Sequence, residues 1–568
     1  RLTAGNADHM RATVDVNKKL TDSVAFRVNG MWQDIGYPGR DIAQYKSWGV
    51  APSLALGLGK PTQVNLTYSR LVQDNVPDWG IPTLLPDTAI AQGITVNDLD
   101  FSNWYGLVSR DYEKTTSDIV TGTVRHEFNH SIALRNLTRY GTNYRDAVLT
   151  PPRPAGPTAG QGPEDPGYNP AVPQMRRTDT KYQHRDDKVL TNQTDLTVAF
   201  HTGRVKHASD IGLEIAKDKQ PTYAFTDLFT NGRPPVDDLF NPTPFAAYTP
   251  SYGRTGASSD AEALSIAAYV FDAVTISEKL QLDLGLRWDH VDIDYTSVAA
   301  SGVATLFGRL DEAVTGRAGV VFKPKAEGSI YAALSTSFAP AYDGAHGLQM
   351  AATGLYGQAL PPERSRNIEV GTKWELRPEL MVTAAAFDMR KTNAKTTNLA
   401  GAIELAGEQK VRGIELGASG EISDRWTLFG GLALMNGTVE NSLVATEIGA
   451  QLAYVPKTSA NFWTTFRPTG KLMIGGGATF SDGHYYNQTG GYLFVSNRLD
   501  ARYVKNAAAI QNLSRYLVFN AVATYQLHPK IQIQMNLNNI GNERYADRAY
   551  DRHFLPGPTR QILIAPVI

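Results

Sequence analysis

The stretch Ile531-Gln532-Ile533-Gln534-Met535-Asn536-Leu537-Asn538 has an apolar side chain at every odd position and an amide at every even position. A period of two is typical of a β-strand with one apolar and one polar face. The same alternation recurs in Leu280-Gln281-Leu282-Asp283-Leu284 and in Val64-Asn65-Leu66-Thr67-Tyr68. The sequence therefore predicts an all-β fold.

Connection lengths between these strands alternate between short and long. Short connections are predicted at residues 18–22, 58–61, 128–130, 202–204, 277–279, 323–326, 377–379, 423–425, 467–470 and 528–530. Long polar loops are predicted at 73–116, 143–187, 218–260, 340–364 and 483–515. Outer-membrane barrels show this asymmetry, with short periplasmic turns and long extracellular loops. A soluble β-sandwich is the alternative, but it would have shorter strands and no side-specific rule for its connections.

Counting the strands predicts the size of the barrel. Ten short turns join twenty strands, and the runs at residues 1–5 and 561–568 add one strand each. We therefore predict a transmembrane antiparallel β-barrel of about 22 strands, with long extracellular loops and short periplasmic turns. A passive diffusion porin, with about 16 to 18 strands, is a less favoured alternative.

The composition excludes several other classes of protein. The 55 Lys and Arg residues nearly balance the 56 Asp and Glu residues, so bulk charge gives no reason to expect a nucleic-acid partner. The chain has no cysteine, which removes disulfides and thiolate metal sites. No apolar run of 18 residues is present to form a membrane helix. We find no nucleophile elbow, phosphate loop or zinc-protease motif, and therefore predict no catalytic residues, no metal site and no cofactor.

Several motifs carry a resemblance to a known family. They are Asp74-Asn75-Val76-Pro77-Asp78-Trp79-Gly80-Ile81-Pro82, Trp104-Tyr105-Gly106-Leu107, Arg110-Asp111-Tyr112-Glu113-Lys114-Thr115-Thr116, Pro362-Glu363-Arg364-Ser365-Arg366-Asn367-Ile368-Glu369-Val370-Gly371-Thr372-Lys373 and Asn538-Asn539-Ile540-Gly541-Asn542-Glu543-Arg544-Tyr545 with Pro556-Gly557-Pro558-Thr559-Arg560. With these motifs the chain resembles the TonB-dependent siderophore receptors, specifically the branch that imports catecholate siderophores. The resemblance covers essentially the whole chain, but only the barrel portion of that family.

The resemblance implies a function and a set of partners. It implies a receptor and transporter for iron–siderophore complexes, with ferric catecholates as substrates, in the outer membrane of a Gram-negative bacterium. Iron would be carried only as the siderophore complex, and the partners would be outer-membrane lipid, a plug domain and the TonB–ExbB–ExbD complex that energises uptake. A hydroxamate siderophore, cobalamin or a glycan remains an alternative substrate.

The resemblance also predicts the domain organisation. Residues 1–568 are expected to form the barrel domain, and the N-terminal plug is expected to precede Arg1. The run from Gln561 to Ile568 lacks the terminal aromatic residue usual in the family and contains Pro566, which cannot donate to a ladder hydrogen bond. We therefore expect a truncated or divergent carboxyl terminus.

Ligand-binding candidates come from the predicted extracellular loops. A ferric tris-catecholate is a trianion with aromatic walls, so guanidinium groups and aromatic faces suit it. The candidates are Trp79, Trp104, Tyr105, Arg110, Arg176, Arg177, Tyr342, Tyr356, Tyr485 and Tyr486. The alternative is that the aromatic residues belong to the interfacial girdle, and that the arginines bridge loops or bind anionic lipid sugars.

A second group of charged residues is predicted to face the lumen or a plug. Arg135 and Arg139 are four residues apart on one predicted strand and therefore share a face. An arginine on the lipid side costs about 2 to 4 kcal/mol at the middle of the membrane, which favours the lumen for both. Glu363, Arg364 and Glu369 of the family motif are assigned to the barrel wall or plug-facing surface in the same way.

Overall fold

A computed structural model describes residues 1–83, 85–155, 165–340, 362–397, 403–443, 445–485, 494–495, 498–499, 512–550 and 553–567. Within these residues, 22 strands form one antiparallel sheet. The first eleven are β1 (Leu2–Gly5), β2 (His9–Thr21), β3 (Val24–Gly36), β4 (Gln44–Leu56), β5 (Thr62–Val76), β6 (Tyr112–Asn129), β7 (Ile132–Leu149), β8 (Lys181–Thr202), β9 (Val205–Asp227), β10 (Tyr252–Ser277) and β11 (Leu280–Val298). The others are β12 (Ala304–Lys325), β13 (Gly328–Ala339), β14 (Glu363–Arg377), β15 (Leu380–Thr397), β16 (Ile403–Ser423), β17 (Trp426–Asn441), β18 (Thr458–Phe466), β19 (Leu472–Ser481), β20 (Tyr516–His528), β21 (Ile531–Asn538) and β22 (Gln561–Val567).

The sheet closes on itself through its first and last strands. Strand β1 pairs with β2 on one side and with β22 on the other, where Ala4 lies opposite Ile564 and Gly5 opposite Leu563. The predicted fold class, the strand count and the use of both chain ends as strands are therefore confirmed. Pro566 pairs in register with Ile533 of β21, whereas the pairing between β1 and β22 ends before it.

All ten predicted short connections join adjacent, paired strands. The turn between β4 and β5 requires a glycine at position 57. The φ of Gly57 is +73°. A Cβ atom at this position would lie 2.1 Å from the carbonyl oxygen of Thr62. Glycine alone adopts this backbone conformation without a steric cost.

Three of the predicted long loops contain more residues than the connections in the structure. Strands continue far beyond the predicted boundaries, so the connections shorten to residues 77–111, 150–180 and 228–251. Polar residues extend the ladder there, as in the pairs Asp187–Asn143 and Arg185–Thr222. Both faces of a strand meet water above the membrane, so the apolar alternation fades although backbone pairing continues.

The two faces of the barrel differ in polarity. Leu286, Val314 and Ile414 point outward and are 60%, 61% and 50% exposed. Apolar side chains exposed around the outside of a closed sheet are suited to contact with lipid. The inward face carries polar and charged side chains instead. Among the described residues, no helix is long and apolar enough to cross a membrane.

Candidate functional site

The loops on one side of the barrel pack together over its mouth. We call the described residues of the loops at 77–111, 150–180, 228–251 and 539–560 the loop cluster. Its buried apolar core contains Ile81, Leu85, Ala89, Leu99, Tyr105, Met175, Leu239 and Phe554. Short strands cross-link the loops, since Ile81–Pro82 pairs with His553–Pro556, and Gln174–Arg176 pairs with both Arg153–Pro154 and Asp237–Asp238.

A buried ion pair lies at the centre of the loop cluster. Arg177 Nη2 and Asp237 Oδ2 are 2.5 Å apart, and neither side chain is exposed. The same guanidinium donates to the carbonyl of Thr243, and the second oxygen of Asp237 accepts the Thr243 amide. Burial raises the pKa of Asp237 to about 6 although Arg177 opposes the rise, and burial also lowers the pKa of Arg177. Removing either partner would leave an uncompensated buried charge.

Arg110 is also part of the interior of the loop cluster. Its Nε donates to Asp111 at 3.0 Å, and its two other nitrogens donate to the carbonyl of Arg177 and to the hydroxyl of Thr150. Burial raises the pKa of Asp111, and Arg110 opposes this rise. Arg110 therefore joins the loops at 77–111 and 150–180.

Trp104 and Tyr105 are buried beside this ion pair. Trp104 Nε1 donates to the carbonyl of Pro77 at 2.9 Å, and the Tyr105 hydroxyl donates to the carbonyl of Leu239 at 2.8 Å. The cavity that both residues line with Trp79 has a volume of about 10 Å³. That is at the lower limit of the roughly 10 to 15 Å³ that one water molecule needs. Ligand contact by Trp104, Tyr105, Arg110 and Arg177 would require the loop cluster to open, and it stays a prediction.

Trp79 belongs to a group of three rings and one guanidinium that we call the aromatic–basic patch, formed by Trp79, Tyr550, His553 and Arg153. The ring centroids of Trp79 lie 6.1 Å from Tyr550 and 5.3 Å from His553, and Tyr550 stacks on His553 at 4.7 Å. Arg153 Nη1 lies 3.1 Å from His553 Nδ1. A guanidinium only donates, so Nδ1 accepts and the imidazole carries its proton on Nε2.

The environment of His553 keeps it neutral. The residue is 2% exposed, and its Nε2 has no hydrogen-bond partner among the described residues. Burial, helped by the nearby Arg153 charge, lowers the pKa of His553 to about 3. The positive charge of the aromatic–basic patch is therefore carried by Arg153.

Of the other predicted ligand residues, Arg176 lies beside this patch, opposite Arg153 in a short strand pairing, Tyr485 lies in another pairing, and three lie outside the described residues. Arg176 Nη2 pairs with Asp179 at 3.1 Å, and Arg153 is 3.8 Å from the same carboxylate. Tyr485 is half-buried in a short strand pairing of His484–Tyr485 with Asn512–Leu513. Tyr342, Tyr356 and Tyr486 lie outside the described residues. Ligand binding by these residues stays a prediction.

The register places Arg135 and Arg139 on the inward face of β7. Arg135 Nη1 pairs with Asp195 Oδ2 of β8 at 3.0 Å, and Arg139 Nε donates to the Thr121 hydroxyl at 3.2 Å. Arg135 and Asp195 line a lumenal cavity of about 610 Å³ together with polar groups of β6 and β9. Contact between these residues and a plug stays a prediction.

Glu363 and Glu369 also share the inward face, on β14. Glu363 Oε2 pairs with Lys391 Nζ at 2.5 Å, and Glu369 accepts the Tyr331 hydroxyl at 2.6 Å.

The position of Arg364 differs from the prediction made for the family motif. It lies on the same face as Ile368 and Val370, which are 43% and 53% exposed on the outside of the barrel. The prediction that Arg364 faces the lumen is therefore wrong. Successive residues of a strand point to opposite faces, so Glu363 and Arg364 cannot share one.

Several contributors to the loop cluster were not recognised in the sequence, among them Tyr550, His553 and Asp237, and neither was Arg40 of the β3–β4 connection, which contacts the cluster. Arg40 makes a bidentate ion pair with Asp78 at 2.7 and 2.8 Å, and both side chains are buried. The residues between Asn539 and Pro556 were interpreted only as a family motif. Their length and their aromatic content were a usable signal for a further long loop.

A closed 22-strand barrel with an apolar outer face and packed loops over one mouth defines an integral protein of the Gram-negative outer membrane. Residues 47–540 match the family described as TonB dependent receptor-like, beta-barrel, and the chain belongs to this family.

Individual relatives are similar over almost the whole chain. The probable TonB-dependent siderophore receptor PiuA of Acinetobacter baumannii is 30% identical over 97% of this chain and 74% of its own length. The catecholate siderophore receptor Fiu of Escherichia coli K12 is 27% identical over 99% of this chain and 74% of its own length. The crystal structure of the closed form of the ferric-catecholate import receptor Fiu superposes with a TM-score of 0.87 at 25% identity, covering 100% of this chain and 80% of that chain.

Proposed function

We propose that this chain forms the barrel of an outer-membrane receptor that imports ferric siderophores, with ferric catecholates as its substrates. The observation that carries the proposal is similarity, over nearly the whole chain, to two receptors named for siderophores, one of them for catecholates. The closed barrel and the loops packed over its mouth agree with a receptor that captures a large chelate on one side of the membrane.

The aromatic–basic patch supplies chemistry that suits a ferric catecholate. Stacked rings of Trp79 and Tyr550 offer flat apolar faces, and Tyr550 is 41% exposed. Arg153 adds a guanidinium beside them. Aromatic faces and a planar cation match a trianion whose surface is made of catechol rings. Among the predicted ligand residues, Trp79 is therefore our leading candidate for contact with the substrate.

Uptake would follow capture by passage through the lumen. We propose that a plug domain rests against the inward charged groups, including Arg135, Asp195 and Glu369, and that the TonB–ExbB–ExbD complex supplies the energy to move it. Iron would enter only as its siderophore complex, so the barrel would need neither a resident metal or other cofactor nor covalent chemistry. Binding and release by differential contacts are sufficient for such a cycle.

Tryptophan fluorescence of the full-length receptor tests the substrate class. We expect a ferric catecholate to quench the emission and a ferric hydroxamate to leave it unchanged. Trp79→Phe should remove a large share of the quenching, because this ring lies in the aromatic–basic patch. Trp374→Phe is the matched control, since Trp374 lies on the outward face near the short turn to β15.

The outcomes separate the alternatives. Quenching by the hydroxamate alone would replace the catecholate with another chelate. Binding of neither chelate would overturn the siderophore assignment and leave the family assignment intact. Equal quenching of the wild type and Trp79→Phe would remove Trp79 from the site.

A further inference from the structure

The outward face of strands β14 to β16 carries an excess of positive charge near its extracellular end. Cross-strand register brings five cationic and two acidic side chains together there, which leaves a net charge of 5 − 2 = +3. We call this group the outer arginine patch; it consists of Arg364, Arg366, Arg390, Lys410, Arg412, Asp388 and Glu408.

The carboxylates of Asp388 and Glu408 form ion pairs with only some of the cationic side chains of the patch. Arg412 Nε lies 2.6 Å from Asp388, and Arg390 lies 3.4 Å from both Asp388 and Glu408. Lys410 is 3.7 Å from Asp388. Arg364 and Arg366 are exposed, and neither forms an ion pair with any residue that the structure describes.

The outward face of β9 to β11 shows no such positive excess, and Asp292 and Asp294 of β11 are exposed there. On β9 and β10, Lys217 pairs with Glu262 at 3.0 Å, and Lys219 pairs with Asp260 and Glu262 at 3.0 and 2.6 Å. Two cations there meet two carboxylates. The positive excess on β14 to β16 is therefore not a general property of the extracellular rim.

A notch in the barrel wall lies beside Arg364 and Arg366. Pairing between β12 and β13 stops at Arg317 and Ser335, although β12 continues to pair with β11, and β13 continues to pair with β14 as far as Ala339. The strands part above this point and leave a cavity of about 370 Å³. Its lining includes Val314, Thr336, Phe338, Arg364, Arg366 and Arg390.

The position of the patch relative to the membrane indicates its ligand. Ile368 and Val370 follow Arg366 on the outward face, so the patch begins where the apolar band ends. An outward arginine costs about 2 to 4 kcal/mol at the bilayer midplane but about 0 to 1 kcal/mol near the interface. At that depth, the anionic groups available to an unpaired guanidinium are lipid phosphates, which guanidinium binds through paired hydrogen bonds.

We propose that the outer arginine patch and its notch form a binding site for the phosphate groups of an anionic lipid of the outer leaflet. Arg364 and Arg366 contact the phosphates, Arg390 flanks them, and the exposed side chain of Val314 contacts part of the lipid body. The site faces away from the lumen and is independent of the proposed transport function.

Native mass spectrometry of the delipidated full-length receptor tests this site. The probe is diphosphorylated lipid A, with phosphatidylcholine as the zwitterionic comparison. We expect Arg364→Gln/Arg366→Gln to bind lipid A about tenfold more weakly, because charge-assisted hydrogen bonds to the phosphates are lost. Arg364→Lys/Arg366→Lys should retain most of the binding. Lys217→Gln/Lys219→Gln removes the same charge from the outward face and should bind like the wild type.

Folding is checked by the heat-modifiable gel mobility of each variant, which should match that of the wild type. Wild-type affinity in Arg364→Gln/Arg366→Gln would overturn the proposal. An equal loss in Lys217→Gln/Lys219→Gln would do the same, since it would indicate a general charge effect. Displacement of lipid A by an equal concentration of inorganic phosphate would overturn the lipid assignment in favour of a free-phosphate site.

Discussion

At the scale of single residues, burial decides what a charged or titratable side chain does. Trp104, Tyr105, Arg110 and Arg177 have the residue types expected of a siderophore site, yet their side chains hold the loop cluster together. The same guanidinium that suits a chelate also suits a buried carboxylate such as Asp237. Residue type therefore predicted the chemistry of these positions, but it did not distinguish ligand contact from loop packing.

His553 gives a test of this packing through pH. Burial and Arg153 lower its pKa from 6.5 to about 3. In the unfolded loop, His553 is protonated below about pH 6.5. In the folded loop, it is protonated only below about pH 3. The contribution of neutral His553 is thus complete above pH 6.5 and is lost as the pH falls toward 3, at up to about 1.4 kcal/mol per pH unit.

Hydrogen exchange measures this effect in the paired segments Ile81–Pro82 and His553–Pro556. After correction for intrinsic exchange, protection of their amides should fall between pH 7 and pH 5. His553→Gln should abolish most of that dependence, because glutamine does not titrate in this range. An identical pH dependence in the variant would exclude His553 as its source.

At the scale of elements, each strand is defined by which face meets lipid. Ile414 of β16 is directed outward between Ala386 and Leu434, whereas its neighbour Glu415 is directed into the lumen. We expect Ile414→Arg to reduce the free energy of folding into lipid vesicles by about 2 to 4 kcal/mol, since a cation would enter the apolar band.

Glu415→Arg is the matched control, because it introduces the same side chain one residue away on the wet face. Refolding into vesicles over a urea series, scored by heat-modifiable mobility, compares the two variants. Equal destabilisation of both would contradict the assigned register of β16.

The strands and turns were the most predictable elements of this protein. The ten short turns were placed correctly because tight reversals need particular residues, such as Gly59 with its φ of +71°, and interrupt a visible alternation. The extracellular ends of β8 and β9 were missed because both of their faces meet water there. Backbone pairing holds these ends together, and backbone pairing leaves no signature in side-chain polarity.

At the scale of the whole molecule, a closed 22-strand sheet encloses a lumen wider than its own side chains fill. We expect residues 1–568 alone, inserted in a planar bilayer, to conduct ions without selectivity, because the inward face is polar and carries charges of both signs. The control is a receptor that carries the proposed plug domain in addition to residues 1–568, and the plug should lower the conductance. A closed pore formed by residues 1–568 would contradict this prediction.

The sequence by itself determined the all-β class, the number of strands, the side of the short turns and the family. These properties depend on the local alternation of apolar and polar residues, on tight turns and on motifs, all of which are visible in short stretches of sequence. Only the tertiary structure decided that Arg177 is buried against Asp237, that Trp79 stacks on Tyr550, and that Arg364 faces outward beside a notch. Those contacts join residues far apart in the chain or depend on strand register, so no local pattern specifies them.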